Sequence, residues 1–141
     1  MNRDVTIRIK GIQIYPNGEK VETITEEPAE YFERNLSRYV RFEEASEGFT
    51  ETAKCLMKIR EGYLEISKKG LIESFMTFEK GKIHQTEYRT PFGSVNLDIE
   101  TNCIRMFEEE NALSIQIEYL LKAQGEHMAQ CEIGIFIKNK K

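Results

Sequence analysis

Between Phe75 and Ile99 the chain reads FMTFEKGKIHQTEYRTPFGSVNLDI. This stretch limits the fold more than any other. Met76 and Phe78 alternate with Thr77 and Glu79 and lead into Lys80-Gly81. Ile83 to Arg89 carries the chain back, and Thr90-Pro91-Phe92-Gly93 turns it again into Val95, Leu97 and Ile99. Residues two apart share one face of a strand. Proline and glycine at these positions favour tight reversals. The spacing predicts three antiparallel strands and two turns, a meander to which the rest of the chain adds strands on either side.

The flanking text has the same character. Val5, Ile7 and Ile9 alternate with Thr6, Arg8 and Lys10. Gly11 continues that apolar set, which predicts a close approach or a bend, whereas Ile12 and Ile14 take the opposite parity. A bulge near Gly11 would reconcile the two halves. Tyr15-Pro16-Asn17-Gly18 is a turn. Val21, Thr23 and Thr25 favour strand. The acidic Glu26–Glu33 segment fits either a short helix with Pro28 in its first turn or an extended chain, and the extended reading is preferred. Tyr39 to Glu44 and Thr50 to Arg60 are strands around a loop over 45–49. Tyr63 to Ser67 follows, ended by a Lys68-Lys69-Gly70 turn. Glu100-Thr101-Asn102 is a bend before Cys103–Phe107. Leu113, Ile115, Ile117, Tyr119 and Leu121 form the cleanest alternation, and Cys131, Ile133, Ile135 and Ile137 form the last.

The tally is about ten strands with short links and no helix of ten residues. An open sheet that wide would leave two edges bare. Closure removes them, and short links suit neighbouring antiparallel strands. The expected fold is all-β, a closed antiparallel up-and-down barrel of about eight to ten strands. The chain's 141 residues suit a single domain over 1–141.

Composition narrows the chemistry. Twenty-four acids against 20 bases give a net charge of -4, which supplies no overall pull toward nucleic acid or anionic membrane. No apolar run reaches the roughly 20 residues of a spanning helix, and the N-terminal MNRDVTIRIK lacks a signal-like apolar core. Cys55, Cys103 and Cys131 are odd in number and far apart, so buried free thiols and a reducing cytoplasm are expected. His84 and His127 are too few for a three-histidine metal site. No phosphate loop or GxSxG elbow occurs, and no cofactor or metal is expected. The acidic pairs Glu26-Glu27 and Glu43-Glu44 and the Glu108–Glu110 run read as wet faces or turns rather than acid–base machinery.

Met76, Phe78, Gly81, Tyr88, Thr90, Pro91, Phe92, Gly93 and Leu97 together resemble the YwiB-like family of small bacterial proteins. The Ile7-Lys10-Gly11 opening and the strands Leu113–Tyr119 and Glu132–Ile137 extend the resemblance along nearly the whole chain. It implies a calycin-like barrel, similar in shape to lipocalins, and no agreed activity.

Candidate site residues follow. His84, Thr86 and Tyr88 share one strand face; the polar strip they form either lines the barrel interior and meets a small ligand, or is an exterior surface strip or a barrel-closing hydrogen-bond set. Beside them Arg89 and Phe92 are placed near a barrel rim. The structural alternative for Phe92 is a plug in the barrel end. Tyr31, Phe32 and Tyr39 are the candidate interaction surface, the nearest thing to a homodimer contact. Their arginine neighbours do not make a nucleic-acid surface amid so many glutamates. The expected function is non-enzymatic: an intracellular barrel binding a small apolar or amphipathic molecule. The alternative is a structural or regulatory module acting through its outer surface as a homodimer.

Overall fold

The computed structural model describes residues 1–45 and 51–140. Its ten strands are β1 (Asp4–Ile14), β2 (Lys20–Arg34), β3 (Ser37–Ala45), β4 (Thr52–Arg60), β5 (Tyr63–Lys69), β6 (Ser74–Glu79), β7 (Ile83–Thr90), β8 (Gly93–Glu108), β9 (Ala112–Ala123) and β10 (Glu126–Asn139). The expected loop beyond Ala45, and Thr50, lie outside the described residues. Among those described, no helix is long and apolar enough to cross a membrane.

Strands run in the order β6-β5-β4-β3-β2-β1-β10-β9-β8-β7. Consecutive strands pair antiparallel except β6 and β7, and β1 pairs with β10 along Val5–Ile14 to join the two ends of the chain. The result is a barrel-like sheet, nearly closed. β6 and β7 stand at opposite ends of this order, so the sheet has one unsealed seam. That seam falls inside the stretch expected to be the centre of the meander. Alternation tells a strand which face is wet, but not whether its neighbour completes the ladder.

Inward positions follow the alternation. Ile7, Met57, Leu64, Phe78, Ile99, Ile115, Ile117, Ile135 and Ile137 are almost wholly buried. Each such aliphatic or aromatic side chain removed from water favours folding by about 1.5–3 kcal/mol. Phe78 meets Tyr119 edge to face, with ring centroids 5.0 Å apart. These contacts join the β6 side of the seam to the opposite wall.

Two local expectations change, at Gly11 and at Cys103, and two hold. β1 has no bulge at Gly11, since its register with β2 and β10 runs unbroken to Ile14. Ile12 and Ile14 simply take half-buried outer positions. Gln13 takes the inner one, its Oε1 accepting a hydrogen bond from the Tyr15 hydroxyl at 2.8 Å. Gly11 is needed for a close approach, because a Cβ there would lie 2.9 Å from Thr23 Oγ1. Bulges occur instead between Thr101 and Cys103 and between His127 and Ala129. The first of them is the bend expected at 100–102. The acidic segment is extended, within β2. The ladder of β2 with β3 ends at Glu30–Arg41, two residues from Pro28, which has no amide to offer. Cys55 and Cys131 are buried free thiols, but Cys103 is only half-buried. It follows the bulge, opposite Glu118, on the outer parity.

Candidate functional site

The seam is a hairpin that does not zip. At its top, Glu73 and Arg89 exchange both backbone hydrogen bonds, at 3.0 and 2.9 Å. The same register would pair Phe75 with Glu87 and Thr77 with Gln85, and the three-residue turn 80–82 dictates that register too. No ladder forms there. Instead the Phe75 amide donates to the Thr86 hydroxyl at 3.4 Å. At the lower end the turn is held toward β8, where Gly81 N–H donates to the Thr101 carbonyl and Thr101 N–H to that of Lys82. A side chain therefore takes the place of a backbone rung in the middle of the seam.

Register shows what faces inward there. His84, Thr86 and Tyr88 lie opposite Ile99, Leu97 and Val95, and Ile99 and Leu97 belong to the buried set. The polar strip read from the sequence is thus on the inner face of β7, with Thr86 only 9% exposed. His84 Nε2 lies 3.3 Å from Glu79 Oε1. This hydrogen bond, with Lys82 beside it, holds the Glu79 carboxyl below its usual range. Arg89 points the other way. Its exposed guanidinium pairs with Glu87, and the Glu87 hydrogen bond raises its pKa. Both its backbone and, at 4.0 Å from the Glu73 carboxylate, its guanidinium bridge the top of the seam. Phe92 is neither plug nor wall, being 92% exposed at the tip of its turn. A turn fixed by its proline and glycine leaves that ring outside.

Two further charges stand on the inner face. Leu64, Ile66 and Lys68 alternate inward on β5, opposite Ile59, Met57 and Cys55. Val40, Phe42 and Glu44 do so on β3, where Phe42 pairs with Cys55. Lys68 Nζ lies 2.7 Å from Glu44 Oε1, and the side chains are 22% and 24% exposed. Burial works against the Lys68 ammonium. The Glu44 hydrogen bond and charge outweigh it, Tyr88 adds to them, and the pKa stays above the ordinary lysine value. Burial, with Glu44, pushes the neighbouring Cys55 thiol up to about 11, so it is a poor nucleophile at neutral pH.

The ion pair stands directly above apolar wall. Ser74 pairs with Lys68, and Met76 pairs with Ile66. Ile66 and Met76 are only partly buried against the core. Polar Lys68, Glu44, Tyr88 and Ser74 thus sit above an apolar step of Ile66 and Met76, and Thr86 lies level with that step across the seam. Deeper in the barrel, Thr101 Oγ1 is buried without a hydrogen-bond partner, opposite Tyr119. Among the described residues, no group of three metal-ligating side chains converges.

The second sequence candidate divides. Phe32 and Tyr39 stack on the outer face with centroids 5.1 Å apart, and Arg41 lies 5.6 Å over the Phe32 ring. Tyr31 is not a surface residue. It is 5% exposed and faces inward, because Ala29 and Tyr31 carry the buried parity of β2. Its hydroxyl donates to Glu33 at 2.9 Å. Burial, and then that hydrogen bond, push its pKa up to about 12.

The expected Lys68-Lys69-Gly70 turn begins only after Lys69, since Lys68 still lies in β5, and Glu44, expected on a wet face or in a turn, is three-quarters buried. The signal that places them was present in their parity, since each lies two residues beyond an inward apolar side chain on its own strand.

Comparisons with known proteins agree with this architecture. The crystal structure of ywiB protein from Bacillus subtilis superposes with a TM-score of 0.85, covering 99% of this chain and 93% of that one at 17% identity. At that identity the likeness is one of fold. A comparison with curated proteins gives no match. The family model "Domain of unknown function (DUF1934)" matches residues 7–135. The match spans nearly the whole described barrel, and the chain belongs to the DUF1934 family.

Proposed function

We propose that the protein is an intracellular, calycin-like binding barrel that takes a small amphipathic molecule rather than turning over a substrate. The apolar body rests on Ile66 and Met76, and the polar head meets Lys68, Glu44 and Tyr88. The observation that carries this reading is the Lys68–Glu44 pair, less than a quarter exposed on the inner face of the barrel. Holding a desolvated ion pair costs stability unless its remaining hydrogen-bonding capacity is met. A ligand head group entering at that point supplies such partners. The Thr86 strip, beside the stretch of seam that has no backbone rungs, supports the same reading by keeping polar groups near the pair.

Native mass spectrometry of protein purified from its own host tests this. The expected result is a retained small molecule, lost on Lys68→Met with the fold intact by circular dichroism. Apo protein throughout, with no mass gained on incubation with millimolar dodecanoate or dodecylamine, would overturn the reading.

A further inference from the structure

A separate feature lies on the outer wall. Register brings Lys10, Gly134, Gln116 and Arg105 into one row across β1, β10, β9 and β8. The next row holds Ile12, Glu132, Glu118 and Cys103. A concavity of about 240 Å³ lies over these two rows. Gly134 makes part of it, for a Cβ there would meet nothing within 4 Å. A glycine in mid-strand weakens the strand unless something else occupies its space.

The charges are arranged in an unusual way. Glu132 and Glu118 face each other directly across β10 and β9, an arrangement that is unfavourable without counter-charge. Lys10 and Arg105 flank them diagonally. Among the described residues, none of these four charges takes part in an ion pair. The cations occupy one row and the carboxylates the next, so the patch is neutral and its two halves are opposite in sign. Half-exposed Phe107 and Phe136 border it on one side and Ile24 on another.

We infer that this wall is the docking face for a second copy of the chain. A second copy laid face to face, about a two-fold axis running across the strands between the two rows, puts each cationic row over the other's acidic row. Each Glu132 then enters the partner's concavity above Gly134, beside the partner's Lys10. Each Glu118 comes to the partner's Gln116, next to Arg105. This arrangement is self-complementary, as an isologous interface must be. Five strands at ~4.8 Å and some ten residues at ~3.3 Å present a wall of about 19 by 33 Å, the order of area that a standard interface of ~800 Å² per partner uses. The inference is independent of the ligand reading, since none of these side chains faces the barrel interior.

Sedimentation equilibrium on mixed variants tests it. The wild type is expected to dimerise at tens of micromolar in low salt and to weaken at least tenfold in 0.5 M salt. Lys10→Glu/Arg105→Glu and Glu118→Lys/Glu132→Lys are each expected to be monomeric at that concentration, and their equimolar mixture to form a heterodimer. Gly134→Gln fills the concavity and should abolish the dimer without loss of circular dichroism signal. A wild type that stays monomeric to millimolar concentration would overturn the inference. So would a dimer that survives both charge reversals, which would place the contact on another face.

Discussion

The β1–β10–β9 wall and the β6–β7 seam are built by the same period-two rule and end differently. In the wall, ten consecutive residues of β1 pair with β10, and the inner face is isoleucine after isoleucine. In the seam, β6 has six residues and β7 has eight. Their inner faces carry Ser74, Thr86, His84 and Tyr88 beside Met76 and Phe78. An apolar inner face draws its strands together, because each rung brings further side chains into a shared core. A polar inner face gains less from closing and can spend its hydroxyl on a backbone amide, as Thr86 does. The difference shows that a gap in a β-wall is written in side-chain chemistry, not in missing strand propensity.

The comparison can be broken first at the wall. Ile115 is fully buried, and Ile115→Ala is expected to cost about 3 kcal/mol through lost burial and a residual cavity, read as a lower urea midpoint. Met76→Ala on the seam side should cost less, since that side chain is already partly exposed.

The next effect concerns the inner ion pair. Lys68→Met leaves Glu44 half-desolvated and alone. A fully buried pair broken this way costs 3–5 kcal/mol, and the partial exposure of this one reduces that to about 1–2 kcal/mol. The double variant Lys68→Met/Glu44→Leu should regain most of the loss in the same urea titration. If both single variants are neutral, the pair is solvated and is not the inner feature described here.

A smaller effect is expected at Thr86→Val. The substitution keeps the shape and removes the hydroxyl that accepts the Phe75 amide, at about 1 kcal/mol or less. Its sharper readout is hydrogen exchange. The Phe75 amide should exchange faster in the variant, while amides of Ile115 and Ile135 keep their protection. Equal acceleration in both regions would mean that the seam and the wall open together.

The smallest effect is that of acid. Glu30, Glu79 and Glu108 have folded pKa values below their ordinary value, through hydrogen bonds with Arg3, His84 and Arg38 respectively. A lowered carboxylate pKa contributes stability that is present above the unfolded value and is lost as pH falls through the folded one. Glu108 is exposed and Glu30 and Glu79 are partly so, and none of the three is buried, so the loss should be modest and begin below the ordinary carboxylate value of about 4.5. Replacing the three with glutamine should flatten the dependence of the urea midpoint on pH.

Much of this was legible beforehand. The inward set Leu113, Ile115, Ile117 and Tyr119 follows from alternation alone, because one buried face fixes both register and parity. The extended course of the acidic segment followed from Val21, Thr23 and Thr25. The polar strip of His84, Thr86 and Tyr88 was legible as a shared face, but its direction depended on the apolar residues opposite it on β8. The seam itself was not legible, since pairing is a property of two strands and the alternation describes one. Lys68 and Glu44 were hidden by charge, which ordinarily marks a wet face. Their ion pair joins residues on β3 and β5, which flank β4, and only the assembled sheet brings them together. Tyr31 shows the reverse error, for an aromatic in an acidic run looks exposed until its parity with Ala29 is known.

Amide-resolved NMR titration with dodecanoate is the most direct test of the claim that the polar inner face beside the seam receives an amphipathic ligand. The prediction is saturable shifts at Glu44, Lys68, Ser74, Thr86 and Tyr88, with the outer residues of β9 and β10 unchanged. Shifts confined to the outer wall, or none up to the solubility of the probe, would contradict it.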